Sequence, residues 1–205
     1  MDLLILGAGG HGHVVKEVAE ATGRYKRIAF LDDSVDGINN GDGTSSQGVG
    51  GIDIIGKLSD YEKYITSFSH AFVAIGNPTI RNQWQVRLAT AGYQIPILIH
   101  SDAYVSPSAA VDIGTVIMPK AVVQSNVKIG KGCIISAGAI VDHDAVVDEY
   151  CHVNAGAVVA AGSVVGYGTK IDHGAVWRGA SQAPVADREL EDMHKKGIGT
   201  DISFF

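Results

Sequence analysis

The chain has 205 residues, 46% hydrophobic and 19% charged, with 26 glycines, 5 prolines and 2 cysteines, and its 16 basic and 22 acidic residues give a formal net charge of −6. That apolar share excludes a disordered chain, and scarce proline without an every-third glycine excludes collagen. The acidic balance argues against nucleic-acid or anionic-membrane binding, and no apolar run reaches the roughly 20 residues of a bilayer span, so the expectation is a cytoplasmic protein of one or two domains.

Leu3 to Leu6 predicts a short buried strand. It runs into Gly7-Ala8-Gly9-Gly10-His11-Gly12 and then a helix with Val14, Val15, Val18 and Ala19 on one face. A second strand over Arg27 to Leu31 ends at Asp32-Asp33, a third element lies near Ile52 to Ile55, and a helix follows Ser59. Between them, Ser34 to Gly51 carries six glycines and reads as a solvated loop or as a lid. Ala71 to Ile75 predicts another strand, after which Asn77 caps and Pro78 opens a helix with apolar face Ile80, Trp84, Leu88 and Ala91. Ile95 to Ile99 is expected to close this set, so the first hundred residues read as a Rossmann-like α/β domain with a parallel sheet.

Gly7-x-Gly9-x-x-Gly12 after a strand, with Asp32 20 positions beyond Gly12, meets the formal dinucleotide fingerprint. The glycines let backbone amides approach a phosphate at a helix N-terminus, which says nucleotide more firmly than NAD. Their alternative is a tight strand-to-helix turn. His11 is a donor to phosphate in this reading, and Asp32 and Asp33 accept from a ribose or base edge unless they form a solvated acidic turn. Arg81, expected on the exposed side of its helix, either neutralises phosphate or is a plain surface arginine.

From Val105 a period of six begins: Val105, Val111, Ile117, Val123, Ile129, Ile135, Val141, Val147, Val153, Val159, Val165 and Ile171, with Trp177 in the thirteenth place. Four residues after each comes a small or modest side chain, Cys133 and Cys151 among them, and a third column is rich in glycine at 114, 132, 138, 156, 162, 168 and 174. Six matches neither a helix nor an ordinary strand. It suits a parallel β-helix in which three hexads make a turn of 18 residues, the aliphatic points inward and glycine supplies positive φ. Cys133 and Cys151, 18 residues apart, should then stack in the small inner column as packing groups.

The hexads resemble the left-handed parallel β-helix of hexapeptide-repeat acyltransferases. Together with the Gly-Ala-Gly-Gly-His-Gly opening, Leu31-Asp32-Asp33, Ala74-Ile75-Gly76-Asn77 with Arg81, Val141-Asp142-His143-Asp144 and Tyr150-Cys151-His152-Val153, the chain resembles the sialic-acid O-acetyltransferase family. The nucleotide-sugar N-acetyltransferases acting on UDP-4-amino-sugars are its close relatives. The resemblance implies that Gly9, Gly10, His11, Gly12, Asp32, Asp33, Gly76, Asn77 and Arg81 hold a nucleotide-sugar. It makes His143 the general base, paired with Asp144, and puts His152 and Gly162 beside acetyl-CoA, the co-substrate. It implies a homotrimer with acyl-CoA between neighbouring shafts, and no metal.

Independently of the resemblance, acyl transfer needs a proton taken from the attacking amine or hydroxyl, and histidine titrates in the right range. His143 between Asp142 and Asp144 reads as that base or as a surface histidine in an acidic turn, and His152 as a donor-site group or as packing. The expected division is a nucleotide-sugar domain over 1–100, a β-helix over 101–182 and a tail or cap over 183–205. In that tail the sequence departs from the family: the hexads break after Trp177-Arg178-Gly179 and a charged stretch over 187–196 is expected to form a capping helix. The leading expectation is acetyl transfer to the amine of a nucleotide-activated amino-sugar in surface-glycan biosynthesis. Alternatives are O-acetylation of sialic acid or a related sugar, an oxidoreductase resting on the glycine fingerprint alone, and a non-catalytic nucleotide-sugar-binding hexapeptide protein.

Overall fold

The computed structural model describes residues 1–34, 46–48 and 52–179. The 187–196 helix and most of the 34–51 loop lie outside them.

The first layer comprises β1 (Asp2–Leu6), α1 (Gly10–Ala21), β2 (Arg27–Leu31), β3 (Ser46–Gly48), β4 (Ile52–Gly56), a 3₁₀ helix over Leu58–Tyr64, β5 (His70–Val73) and α2 (Pro78–Thr90). The sheet order is β3-β4-β2-β1-β5, parallel except for β3 at the edge. Central β1 is covered on both faces, so Leu3, Leu4, Ile5 and Leu6 are all fully buried, as an uninterrupted apolar run requires. Asn77 Oδ1 accepts the Ile80 N–H (3.1 Å), and Pro78 occupies the first turn of α2, as the sequence indicates.

Fourteen two-residue strands follow at six-residue spacing, from Leu98–Ile99 to Val176–Trp177. Each pairs in parallel with the strand one coil on, as Ile134 does with His152, an offset of 18 residues (152 − 134). The inward column and the small column meet in one buried cluster that includes Ile117, Val123, Cys133, Val141, Cys151 and Val159. The thiols of Cys133 and Cys151 donate to the carbonyls of Asp148 and Gly166 (both 3.0 Å), so both pack the shaft as expected. Trp177 joins this cluster and donates its indole N–H to Val164 O (3.0 Å), sealing the last described coil.

The prism has three faces. The first is formed by the strands that begin at Leu98, Val116, Ile134, His152 and Lys170, the second by those at Tyr104, Val122, Ile140, Val158 and Val176, and the third by those at Ala110, Lys128, Val146 and Val164. The α/β layer covers the first face: Leu98, Val116 and Ile134 share a buried cluster with Leu3, Ile5, Val15 and Phe30.

Two expectations need correction. Leu98–Ile99 does not close the α/β sheet; it pairs with Val116–Ile117 and is the first strand of the shaft, because Ile99 lies six residues before Val105 and takes the inward position. On α2 the expected apolar face holds at Leu88, which is fully buried, with Trp84 and Ala91 packed against the same cluster, but Ile80 is 41% exposed, and Arg81 and Gln85 are buried as well. The reason is that α2 packs Leu88 on the α/β core and also runs along a glycine-lined edge of the shaft. A Cβ at Gly114 would come within 2.3 Å of Gln85 Oε1, one at Gly132 within 2.4 Å of the Tyr150 ring, and one at Gly168 within 3.7 Å of Pro78. Backbone this close suits long polar side chains that reach carbonyls.

Candidate active site

The glycine loop leaves β1 at Gly7, whose φ is +103°. A Cβ on Gly12 would lie 2.2 Å from Gly7 O, so Gly12 is what lets α1 start against the strand. Gly9, Gly10 and Gly76 are different: a Cβ on any of them would meet nothing within 4 Å. Those three line open space at the N-terminus of α1, where backbone and helix dipole favour an anionic ligand.

Asp32 organises that loop. Its Oδ2 accepts the Ala8 N–H (2.6 Å), and its Oδ1 accepts the Ser34 N–H (2.8 Å) and the Ser34 hydroxyl. Burial alone would raise its carboxyl, but these bonds outweigh burial and hold it below the ordinary value. Asp33 Oδ1 accepts the Leu58 N–H (3.0 Å), tying β2 to the 3₁₀ helix. Both aspartates thus shape the cradle.

Arg81 is the clear departure. It is 1% exposed instead of lying on the outer side of α2, and its guanidinium donates to four backbone carbonyls, so the expected role of neutralising phosphate from the surface does not hold.

His11 belongs to the first turn of α1, and its Nε2 is buried without a hydrogen-bond partner among the described residues. Burial first, and then the Arg81 charge, lower its pKa to about 4. His152 lies across the interface on the first face of the shaft, with Nε2 3.0 Å from Ser136 Oγ. Burial, then the charges of His11, Lys170, Arg81 and His173, lower it to about 4 as well. His11 and His152 are thus both held neutral near pH 7 where the α/β layer meets the shaft, and Ser136 is a member of this group that sequence reasoning missed.

His143 stands elsewhere, in the turn between the strands Ile140–Val141 and Val146–Val147, on the edge shared by the second and third faces. Its Nδ1 lies 2.8 Å from Asp144 Oδ2, and its backbone N–H donates to Asp142 Oδ1 (2.8 Å). The hydrogen bond to Asp144 raises the His143 pKa and lowers that of Asp144. With Nδ1 engaged, Nε2 is left to take a proton, the orientation a carboxylate imposes on a catalytic imidazole. Asn126, one coil before Asp144, donates Nδ2 to Asp144 Oδ1 (3.1 Å). One coil after it, Gly162 donates its N–H to His143 O (2.9 Å).

The expected residues thus form two groups. Gly9, Gly10, His11, Gly76 and His152 gather at the covered first face. His143, Asp144 and Gly162 gather on the edge opposite that face.

Asn126 was also missed, and a signal for it exists. The glycine column occupies every sixth position, and at all eleven from 114 to 174 the backbone φ lies between +58° and +70°. Seven are glycine; Lys120, Asn126, Asp144 and Tyr150 fill the rest. A non-glycine residue in a left-handed slot is retained for its side chain.

A hexapeptide shaft with an α/β cradle on one face and an imidazole–carboxylate pair on the opposite edge defines a transferase-type scaffold. The comparisons agree. Residues 2–88 match the PglD N-terminal domain, and residues 113–143 match the bacterial transferase hexapeptide (six repeats). The acetyltransferase domain of PglB from Neisseria gonorrhoeae FA1090 is 39% identical with a TM-score of 0.77, over 87% of this chain and 82% of that one. The same domain in complex with acetyl coenzyme A is 38% identical with a TM-score of 0.76, over the same 87% and 82%. The UDP-N-acetylbacillosamine N-acetyltransferase of Bacillus subtilis (strain 168) is 30% identical over 117 residues, 57% of this chain. The chain spans about half, 51%, of that curated relative's length. The chain belongs to the hexapeptide-repeat acetyltransferases that carry a PglD-type N-terminal domain, and its shaft is the left-handed β-helix of that family.

Proposed function

We propose that the chain transfers an acetyl group from acetyl-CoA to the amine of a nucleotide-activated amino-sugar of the UDP-4-amino-sugar type, in surface-glycan biosynthesis. The observation that carries this is the His143–Asp144 pair at 2.8 Å, with Nε2 free, on a shaft that also carries a glycine cradle open at Gly9, Gly10 and Gly76. In this reading the cradle, shaped by Asp32 and Asp33 and followed by Asn77, takes the nucleotide end. The sugar amine attacks the thioester carbonyl, forming the N–C bond while the C–S bond breaks. His143 Nε2 takes the amine proton, Asp144 stabilises the imidazolium, and the proton leaves with the CoA thiol. His152 and Gly162 border acetyl-CoA. The PglB domain solved with acetyl coenzyme A and the curated bacillosamine enzyme support both substrates by likeness.

The active unit in this reading is a homotrimer with shared sites. His143 lies on the edge opposite the face that carries its own chain's cradle, so a neighbouring shaft is the way to bring the two groups together. The second face supports such packing: Tyr104, Ile140 and Val176 point outward there at 53%, 37% and 48% exposure, an apolar stripe beside the His143 turn. The cytoplasm, where acetyl-CoA and nucleotide-sugars are made, is the compartment that fits, and no helix among the described residues is long and apolar enough to cross a membrane.

The test is thiol release from acetyl-CoA with UDP-4-amino-sugars beside a panel of hydroxyl acceptors. Turnover with the amines, lost in His143→Ala, is expected. Turnover with the hydroxyl panel alone assigns O-acetylation instead, and full turnover of His143→Ala removes the mechanism.

A further inference from the structure

The Arg81 guanidinium joins three chain segments. Its Nη1 donates to Ile75 O and Gly76 O (both 2.8 Å) in the loop after β5, Nε donates to Gly132 O (2.7 Å), and Nη2 donates to Tyr150 O (2.6 Å). Gly132 and Tyr150 occupy the same slot of successive coils, and Tyr150 precedes His152 by two residues. None of the ion pairs among the described residues includes Arg81. A buried cation without a carboxylate is a poor choice for stability alone, since apolar side chains of similar volume often serve that purpose as well or better. A planar fork that fixes four carbonyls at once is a good choice for geometry. The surroundings are built for it: Gly132 leaves room for the Tyr150 ring, Tyr150 is 1% exposed beside the guanidinium, and Tyr167, edge-on to Tyr150 at 5.8 Å, accepts from Asn82 Nδ2 (3.0 Å).

We infer that Arg81 is a positioning residue, whose guanidinium locks the Ile75–Gly76 side of the cradle to the coil carrying His152 and so sets where a cradle-held acceptor meets the thioester. This rests on the acetyl-transfer reading above. Arg81 touches neither substrate; its effect passes through Gly76 and through the Tyr150-Cys151-His152 strand.

A displacement of the acceptor by about 1 Å lowers a rate by up to about 100-fold. Arg81→Lys keeps the charge and loses the fork, and Arg81→Met removes both. The kinetic readout is the rate with nucleotide-activated amino-sugar divided by the rate with the free amino-sugar, which the cradle does not hold. In Arg81→Lys this ratio is expected to fall by about tenfold or more, because only the anchored acceptor depends on the lock. Asn82→Ala, which removes a neighbouring docking contact without touching the loop, should keep the wild-type ratio. A purely structural Arg81 lowers both rates together and leaves the ratio unchanged, and that result overturns the inference. Hydrogen exchange gives a second readout that needs no turnover: Arg81→Lys should exchange faster over 75–82, 130–134 and 148–152, where its carbonyl partners lie, with β1 and the strands at Val122–Val123 and Val158–Val159 unaffected. Unchanged exchange there refutes the lock even if the wild type acetylates neither acceptor, an outcome that sinks the acetyl-transfer reading by itself.

Discussion

The pH dependence of stability follows from the His11 environment. Its folded-state pKa is about 4 against an ordinary 6.5, from burial first and Arg81 second. The folded value is the depressed one, so the unfolded chain binds the proton more readily at every pH between the two. The contribution is therefore complete above about 6.5 and is lost as the pH falls toward 4. For these two values, linkage gives a loss of about 2 kcal/mol by pH 5 from His11 alone. His152 and His70, both lowered, act in the same direction, so the wild-type slope contains more than one group and the informative quantity is a difference. His11→Gln keeps a polar side chain and removes the titration. Urea unfolding at pH 7 and pH 5, followed by Trp84 fluorescence in a Trp177→Phe background, should show His11→Gln losing about 2 kcal/mol less than its parent on acidification. Equal losses in the two proteins would refute a buried, neutral His11.

The pair at the opposite edge has the reverse sign: the Asp144 hydrogen bond raises His143, so Asp144→Asn should lower kcat and move the acidic limb of the kcat/KM profile to lower pH, as measured by thiol release. Gly132 and Gly138 share φ +66°, but only Gly132 faces a neighbour, the Tyr150 ring at 2.4 Å. Gly132→Ala should therefore cost about 1–3 kcal/mol more than Gly138→Ala in thermal unfolding, and equal costs would refute the close packing of the Tyr150 ring on Gly132. Ile140→Glu should convert a trimer of the 21.4-kDa chain to monomer by light scattering and abolish turnover. Co-refolding His143→Ala with Gly10→Trp, each inactive alone, should restore activity if sites are shared between chains; no recovery would place each site within one chain.

The inner column of the shaft was legible because burial there depends only on residue type and period: Val105 to Ile171 face one another whatever surrounds the prism. The outward positions were not, because similar side chains meet different fates. Val116 and Ile134 are covered by the α/β layer while Ile140 and Val176 stay open, and which face is covered depends on how the two layers dock. The same holds for α2. Its sequence offers Ile80, Trp84, Leu88 and Ala91 as an apolar face, and all but Ile80 pack on the core, yet Arg81 and Gln85 are buried too, because α2 also meets a row of glycines and carbonyls. At the candidate site, His143 and Asp144 are adjacent in sequence and their pairing was readable. His11 and His152 lie far apart in sequence, and His11 bears on the His152 imidazole only through docking.

The left-handed slots of the shaft bear on both groups of site residues. A residue other than glycine there costs about 1 kcal/mol or more in backbone strain, less for Asn and Asp, so each of the four exceptions needs a compensating contact. Lys120 has only an exposed ion pair with Asp102 at 3.0 Å, an interaction typically worth less than about 1 kcal/mol, and it lies away from both groups. The other three converge on them. Tyr150 supplies a carbonyl to Arg81 beside the cradle, Asp144 orients His143, and Asn126 holds Asp144 from the coil before. Asn126 and Asp144 are also the residue types that tolerate the slot best, so the turn that presents His143 combines the required charge with the least strain. A glycine at 144 would relax the backbone and remove the carboxylate, whereas Asp144→Asn keeps the conformation and removes only the charge, which makes it the substitution that separates orientation from electrostatics.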